Sequence, residues 1–398
     1  MTTGGSVAPA TPELESVERA KASENTPAAT RRVRVCVVAP SLDILGGQAV
    51  VAQRLMDRLK TDPSLEISFV PHNPRLPAPL RFLQRVKYVR TIVTSIAYQS
   101  MLLRRLRDQD VVHVFSASYW SFILAPTPAV LVARMYGKRV VLNYRSGEAL
   151  DHLSRWPRTS LPVLRSVDLI VVPSGYLVDV FSKFGLTATP IFNFVEVERI
   201  PYRRRARPRP VFLANRNFAP HYNVACVLRA FALIQSRVPE ARLIVAGDGP
   251  QRDRLHALAK ELGLANTTFL GQVPPQRMSA LYDEADVYLN APNVDNMPNS
   301  VVEAFAAGLP VVTSRAGGIP YIVRDESNGL LTDCDDAQGL ATAALRLLAE
   351  PELAARLADR ARADVLSNYT WAAVHDQWRS AYGLAPIGEP PSSGGRPE

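Results

Sequence analysis

Two series of short, almost wholly apolar runs, each run separated from the next by a helix-like stretch or a loop, constrain this chain more than any other feature. The first series is RRVRVCVVAP (31–40), DVVHVF (110–115), KRVVLNY (138–144), DLIVVP (168–173) and PIFNFV (190–195). The second is VFLAN (211–215), ARLIVAG (241–247), TTFLGQV (267–273), ADVYLNA (285–291), PVVTS (310–314) and NGLLTD (328–333). A strand with one face in water alternates apolar and polar residues, whereas a strand covered by helices on both faces does not. Continuous apolar strands interspersed with segments such as AVVAQRLMDRL (49–59) therefore predict the α/β class, with parallel, doubly wound sheets. At 398 residues, 47% hydrophobic, the chain is too long for one ordinary core and suits two such domains.

PYRRRARPRP (201–210) breaks the alternation with five Arg and three Pro. It reads as a linker between an N-terminal domain (31–200) and a C-terminal domain (211–370). A nucleic-acid arm is the sharper alternative for such a run, but this one lies between two α/β halves rather than at an end. Residues 371–385 are expected to form a helix that packs back on the first domain. Residues 1–30 and 386–398, polar and without apolar periodicity, are expected to be disordered tails.

The net charge of +9 belongs to the first half: residues 1–200 carry 25 Lys/Arg against 16 Asp/Glu, while residues 201–398 carry 21 of each. Such an imbalance fits an acidic partner, a phosphorylated acceptor, an anionic membrane face or nucleic acid, of which nucleic acid is not expected, or it serves solubility alone. The basic, amphipathic stretch 75–107 fits an anionic membrane surface, or else a helix lining a cleft. No apolar run reaches the ~18 residues of a spanning helix, and no signal-peptide pattern opens the chain. Cys36, Cys226 and Cys334 are far apart, without metal-ligand or redox spacing. The expectation is a cytoplasmic protein with reduced thiols, peripheral at the inner face of a membrane.

VDNMPNSVVEAFAAGLPVV (294–312) carries the most chemistry. It begins at the carboxyl end of the strand ADVYLNA, where ligands bind in such sheets. Pro298 suits a first helical turn, with Asn296 or Met297 as the cap, and Gly308 suits the helix end, so a helix of about 298–307 is expected. Its first turn offers free N–H groups and a positive dipole end, a site for a diphosphate at Asn299 and Ser300. Glu303, one turn on and on the same face, is placed to accept two hydrogen bonds from a vicinal diol such as a ribose. Asp295, on the loop before the helix, is placed to reach hydroxyls of whatever the diphosphate carries. Simple helix capping by both acids is the plainer alternative, but Glu303 lies too deep in the helix for it.

NMPNSVVEAFAAGLPVVTS (296–314) resembles the signature of the family 4 retaining glycosyltransferases, which have the GT-B fold. Four further stretches resemble the same family: APSLDILGGQAVVAQRL, VVPSGYLVDVFSKFG with IFNFVEVERI, RNFAPHYNVACVLRAFALI and LIVAGDGPQRDRL. The resemblance covers nearly all of 33–385. It implies two Rossmann-like domains facing a cleft, with the acceptor on the first and a nucleotide-sugar donor mostly on the second. The implied reaction is transfer of a sugar with retention, without a metal or other cofactor, to a glycan or lipid-linked acceptor in polysaccharide or glycolipid synthesis. By position, Glu303 would bind the donor ribose, Asp295 would stand near the donor sugar hydroxyls, and Arg216 would hold the diphosphate. Gly46 and Gly47 would let phosphate or acceptor approach the backbone.

Three departures stand out. The first motif carboxylate is Asp295 rather than Glu. No Lys follows Arg216, the region being occupied by HYN (221–223). Arg145 stands where many members have His. Arg145 is a candidate to return the missing positive charge to the leaving diphosphate, with pairing to Glu148 or Asp151 as the alternative. These departures keep a second reading open, a GT-B nucleotide-sugar-binding or scaffold protein with weakened catalysis; an epimerase on the same fold is a third. A nicotinamide dehydrogenase is disfavoured because no G-x-G-x-x-G follows the first strand. His113, which ends DVVHVF and so is expected to face the cleft, and His221 are further candidates for contact with acceptor or phosphate, although a hydrogen-bonded structural role is the favoured reading of His113. Asp333-Cys334-Asp335 has the form of a metal-binding D-x-D, but Asp335 or Asp336 is better used capping a helix from about Ala337.

Overall fold

The strands separate into two parallel sheets of six. The computed structural model describes residues 1–2, 31–43, 47–76, 82, 86 and 89–385. The tails, Gly46 and much of the basic stretch near 77–88 thus lie outside the described residues. The first sheet holds β1 (Val33–Ala39), β2 (Leu65–Pro71), β3 (Val111–Ser116), β4 (Arg139–Tyr144), β5 (Leu169–Val172) and β6 (Thr189–Pro190), in the order β2-β1-β3-β4-β5-β6. The second holds β7 (Val211–Ala214), β8 (Arg242–Ala246), β9 (Thr267–Gly271), β10 (Val287–Asn290), β11 (Val311–Ser314) and β12 (Leu330–Thr332), in the order β12-β11-β10-β7-β8-β9. Each chain order reverses once, between β1 and β3 in the first sheet and between β7 and β10 in the second. These are the crevices where open α/β sheets bind ligands.

Helices cover both faces of each sheet, which is why the strands carry apolar residues on both sides. In the first, Val38, Val112 and Leu142 face one core and Val35, Phe115 and Val141 the other. The second divides likewise, with Leu243 and Leu289 in one core and Leu213 and Tyr288 in the other. Two expectations change. β2 was not among the expected strands: LEISFVP sits at the sheet edge with Glu66 exposed, so it lacks the continuous apolar run. Of PIFNFV, only Pro190 lies in β6, beyond which the Ile191 N–H donates to the Val172 carbonyl at 2.9 Å. The rest leaves the sheet and crosses to the second domain, where Val195 N–H donates to the Tyr369 carbonyl at 2.8 Å.

The Arg/Pro segment joins the sheets in chain order, but its arginines are not solvated. Arg205 is buried and donates to the carbonyls of Tyr282, Ala285 and Ala307, at the carboxyl ends of two helices. Cations there satisfy carbonyls that have no intrahelical donor and oppose the helix dipole. Arg203 and Arg209 bind the buried Asp286 at 2.6 and 2.9 Å. The helix Trp371–Ala381 returns to the first domain, where Val374, Trp378 and Tyr382 join the core of Val35 and Val37. Arg379 and His375 fasten it to the buried Asp62 at 2.5 and 3.2 Å. No helix among the described residues is long and apolar enough to cross a membrane.

Candidate active site

Loops from the carboxyl ends of both sheets line one cavity of about 450 Å³. After β4 come Arg145 and Glu148, and the helix Gly47–Leu59 presents Gly47. From the second sheet come Arg216, which follows β7, and the segment Asp295 to Ser300, which follows β10. Arg216 and Asp295 therefore meet at the chain-order reversal of the second sheet. An adjoining cavity of about 780 Å³ shares Gly47, Asn215, Asn299 and Ser300 and extends to Arg54, Tyr282 and Glu303.

The helix of the signature stretch spans Asn299–Ala306. Its cap differs from the expected Asn296 or Met297: Pro298, with φ −69 and ψ 115, is itself the N-cap, and no side chain caps the turn. The Val301 N–H turns back to the Pro298 carbonyl at 3.2 Å, while those of Asn299 and Ser300 have no intrahelical acceptor. At the other end, Leu309 N–H donates to Ala304 and Gly308 N–H to Phe305, the paired bonds of a Schellman turn. Gly308 has φ +76, and a Cβ there would strike the Tyr202 ring at 2.7 Å, so only glycine fits.

Arg216 donates to Asp295 at 2.5 Å and to the Ser300 hydroxyl at 3.0 Å, and its guanidinium lies 4.0 Å over the Tyr222 ring. Burial is the largest single influence and works against its charge, but Asp295 together with Tyr222, Tyr288 and Tyr282 outweighs it, and the pKa is raised. Asp295 is itself fixed from behind. Its carbonyl accepts from Gly318 N–H at 3.1 Å, and a Cβ on Gly317 (φ +49) would overlap that same carbonyl. The Gly317-Gly318 pair, unremarked in the sequence, thus lets two loops touch backbone to backbone.

Glu303 accepts from the Tyr282 hydroxyl at 2.9 Å and from Arg54 at 3.0 Å. Arg54, on the helix Gly47–Leu59, also donates to the Phe194 carbonyl at 3.1 Å. Its spacing from Gly47 and Val50 on one helical face was the available signal, and sequence reasoning passed over it.

Arg145 has no carboxylate partner among the described residues. It pairs with neither Glu148 nor Asp151, the latter being taken by Arg155 and Tyr119. Its guanidinium instead donates to the side-chain carbonyls of Asn143, at 3.4 Å, and Asn193. Asn193 also donates to the Met297 carbonyl across the cleft at 3.1 Å. Burial lowers the Arg145 pKa to about 10, which leaves it charged at neutral pH.

His113 does not face the cleft. It is fully buried under the helix Trp371–Ala381, stacked against Phe115 and Trp378. Arginine can only donate, so the Asn143 carbonyl faces Arg145 and its amide nitrogen faces His113 Nε2 at 3.1 Å. Nε2 therefore accepts, and Nδ1–H donates to the Tyr382 hydroxyl at 2.8 Å. Burial, with Arg145 nearby, pushes its pKa down to about 3. His221 does line the cavity; burial lowers its pKa, and Arg216 adds to this against Glu148 and Asp295. Asp336 caps the helix Ala337–Ala349 through Gly339 N–H at 2.8 Å, and Asp335 accepts from Asn223 at 2.9 Å.

Several polar atoms at the two cavities are buried without a partner: Asn215 Oδ1, Arg216 Nε and Asn299 Oδ1. Folded chains leave few such groups, so their clustering here marks a surface built to receive a polar ligand.

The family model for glycosyl transferases group 1 matches residues 200–364, the stretch that holds Arg216, Asp295 and Glu303. The GDP-mannose-dependent alpha-(1-6)-phosphatidylinositol monomannoside mannosyltransferase of Mycolicibacterium smegmatis is 31% identical over 295 residues, covering 68% of this chain and 76% of that protein. The chain belongs to the group 1 glycosyltransferases. The lipopolysaccharide core biosynthesis glycosyltransferase LpsE of Rhizobium meliloti is 29% identical over 244 residues, 59% of this chain and 70% of that one. Among solved structures, Anabaena Alr3699/HepE in complex with UDP superposes with a TM-score of 0.69 at 17% identity, over 88% of this chain and 100% of that one. That likeness shows the GT-B fold. As a group 1 glycosyltransferase, this chain presents one cationic side chain from each domain, Arg145 and Arg216, to a single cavity.

Proposed function

We propose that this glycosyltransferase moves a sugar, with retention of anomeric configuration, from a nucleoside diphosphate sugar to a glycan or lipid-linked acceptor, without a metal or other cofactor. The observation that carries the reading is the convergence of Arg216, Arg145 and the uncapped first turn of the helix Asn299–Ala306 on one cavity. Together they offer a diphosphate two guanidiniums and unpaired backbone N–H groups. Glu303 binds the ribose, and Asp295 holds Arg216 while facing the donor sugar. In the transfer step the acceptor oxygen bonds to the anomeric carbon on the face from which the diphosphate oxygen departs. The hydroxyl proton passes to the leaving phosphate, whose developing charge the two arginines stabilise.

The enzyme works at an anionic membrane face on the cytoplasmic side. The helix Val89–Arg105 exposes Ile92, Ile96 and Leu103 and carries Arg104 and Arg105 in its last turn. The helix Pro126–Met135, packed beside it, exposes Leu131 and Met135. Apolar side chains fringed by cations suit an interface with anionic lipid.

The testing experiment is a thermal-shift panel of UDP, GDP, ADP, dTDP and NAD on wild type and Glu303→Ala. One nucleoside diphosphate is expected to raise the melting temperature of wild type and to lose most of that effect in the variant. No shift with any of them would sink the donor reading. The scaffold reading is favoured by one observation, that Asp295 and Glu303 are already ion-paired, to Arg216 and Arg54. It predicts a nucleotide shift with no transfer of sugar from the matching donor.

A further inference from the structure

Just past the carboxyl end of β3 the backbone turns at Tyr119 with φ 56 and ψ −132, a conformation that a bulky residue adopts only when its surroundings hold it. The Tyr119 hydroxyl donates to Asp151, and its ring packs on His152 and on the edge of Trp156, with centroids 5.2 and 5.9 Å away. Beneath lies a buried polar chain, Ser118 to the Tyr144 hydroxyl at 3.0 Å and on to His152 Nδ1 at 2.8 Å. The turn sends Trp120 into solvent, 66% exposed. Its ring stands perpendicular to Trp156 at a centroid distance of 5.2 Å, so the two indoles make an open corner. Asp151 is one helical turn beyond Glu148, and Glu148 lines the cleft beside Arg145. The corner thus lies on the first domain, linked to the cavity through Asp151 and Glu148 on one short helix, and nothing in the donor reading uses it.

We propose that Trp120 and Trp156, with Asp151 and Glu148, form a saccharide subsite that seats a sugar ring of the acceptor at the mouth of the cleft. The inference rests on the glycosyltransferase reading. A pyranose has an apolar C–H face that lies flat on an indole, and hydroxyls around its edge that carboxylates accept. The corner supplies both, the aromatic faces from Trp120 and Trp156 and the polar rim from Glu148, Asp151 and Arg155, which pairs with Asp151 at 2.8 Å. The rim is mixed in charge, unlike the cationic fringe of the helix Val89–Arg105, so it suits hydroxyls better than anionic lipid.

The test is saturation-transfer-difference NMR on the full chain with a nucleoside diphosphate bound. The probes are methyl glucoside, methyl mannoside, methyl rhamnoside and methyl N-acetylglucosaminide at millimolar concentration. At least one probe should give a signal with wild type, strongest for C–H groups of one ring face. That signal should fall about tenfold in Trp120→Ala and recover in Trp120→Phe. Because Trp120 is exposed, the variants keep the core intact. No signal from any probe, or an undiminished signal in Trp120→Ala, overturns the subsite. Flotation with phosphatidylglycerol vesicles is run on the same proteins; lost flotation in Trp120→Ala with the saccharide signal intact makes Trp120 a lipid anchor and also overturns it. A nucleotide thermal shift without any saccharide signal removes the subsite alone, whereas absence of that shift removes the glycosyltransferase reading beneath it.

Discussion

Arg145→Met removes one cation from the cleft while keeping most of the aliphatic stem. Its partners, the side-chain carbonyls of Asn143 and Asn193, are neutral, so no carboxylate cancels its charge, and a pKa lowered only to about 10 keeps it protonated. A hydrogen bond between charged groups contributes roughly 1.5–3 kcal/mol, and a bidentate guanidinium–phosphate contact lies at the upper end. If the charge that Arg145 meets develops as the diphosphate leaves, the loss falls on the transition state. A loss of roughly 2–3 kcal/mol is then a fall of roughly 30- to 160-fold in kcat, with KM moving only a few-fold. Arg145→Lys, which keeps the charge and loses the fork, should fall between. The assay is initial-rate release of nucleoside diphosphate across a range of donor concentrations, using the donor chosen by the thermal-shift panel. A kcat within about threefold of wild type would refute the argument, and an equal factor appearing only in KM would make Arg145 a uniform binder of the donor.

Stability should fall below neutral pH. Burial holds the His113 and His152 pKa values down to about 3 and about 4, so between those values and the unfolded value near 6.5 the unfolded chain binds the extra protons. Their contribution is complete above about pH 6.5 and is lost as pH falls, at roughly 2.5 kcal/mol per pH unit near pH 5.5; a flat urea-melt series from pH 7 to 5 would contradict it. Hydrogen bonds from Ser64 and Arg379 overcome burial to hold Asp62 down to about 2, so its contribution is present above about pH 4 and lost as pH falls through 2. Asp62→Asn should cost roughly 2–3 kcal/mol and speed hydrogen exchange in residues 371–381, and unchanged exchange there would argue against the fastening. Flotation with anionic vesicles should weaken severalfold in Ile92→Ser/Ile96→Ser and at high salt; indifference to both would remove the membrane face.

The doubly wound class was legible because strands buried on both faces must be apolar on both, and eleven runs announced that. The cavity was partly legible: Asp295, Asn299 and Ser300, singled out from local pattern, His221, from its place near Arg216, and Gly47, Arg145 and Arg216, from the family resemblance, line it together. What stayed hidden depends on how distant segments meet. Arg54 and Glu303 are 249 residues apart, and nothing local to either shows the pair. His113 was directed to the cleft because a strand apolar on both faces gives no sign of which way one polar residue points. Its partner Tyr382 arrives 269 residues later. The five arginines of 201–210 were read as spacer from composition alone. Carbonyls at helix ends do not show in composition, yet Arg205 serves those of two helices.

Three of the contacts that join the two domains share an address, while Tyr321 joins Asp179 and Tyr176 elsewhere. Arg54 reaches Glu303, Asn193 reaches the Met297 carbonyl, and Ser174 reaches Asn296, all within nine residues of one another. Closing the domains and ordering this segment are therefore one event, since an open cleft would strip it of its partners from the first domain. The pairing of Glu303 does not bar it from a ribose. An ionised carboxylate has about four acceptor positions. Arg54 takes one through Oε1 and Tyr282 one through Oε2. Two remain, the number that a vicinal diol needs; on the proposed reading Arg54 would hold the carboxylate in place for them and neutralise its charge against a neighbouring diphosphate.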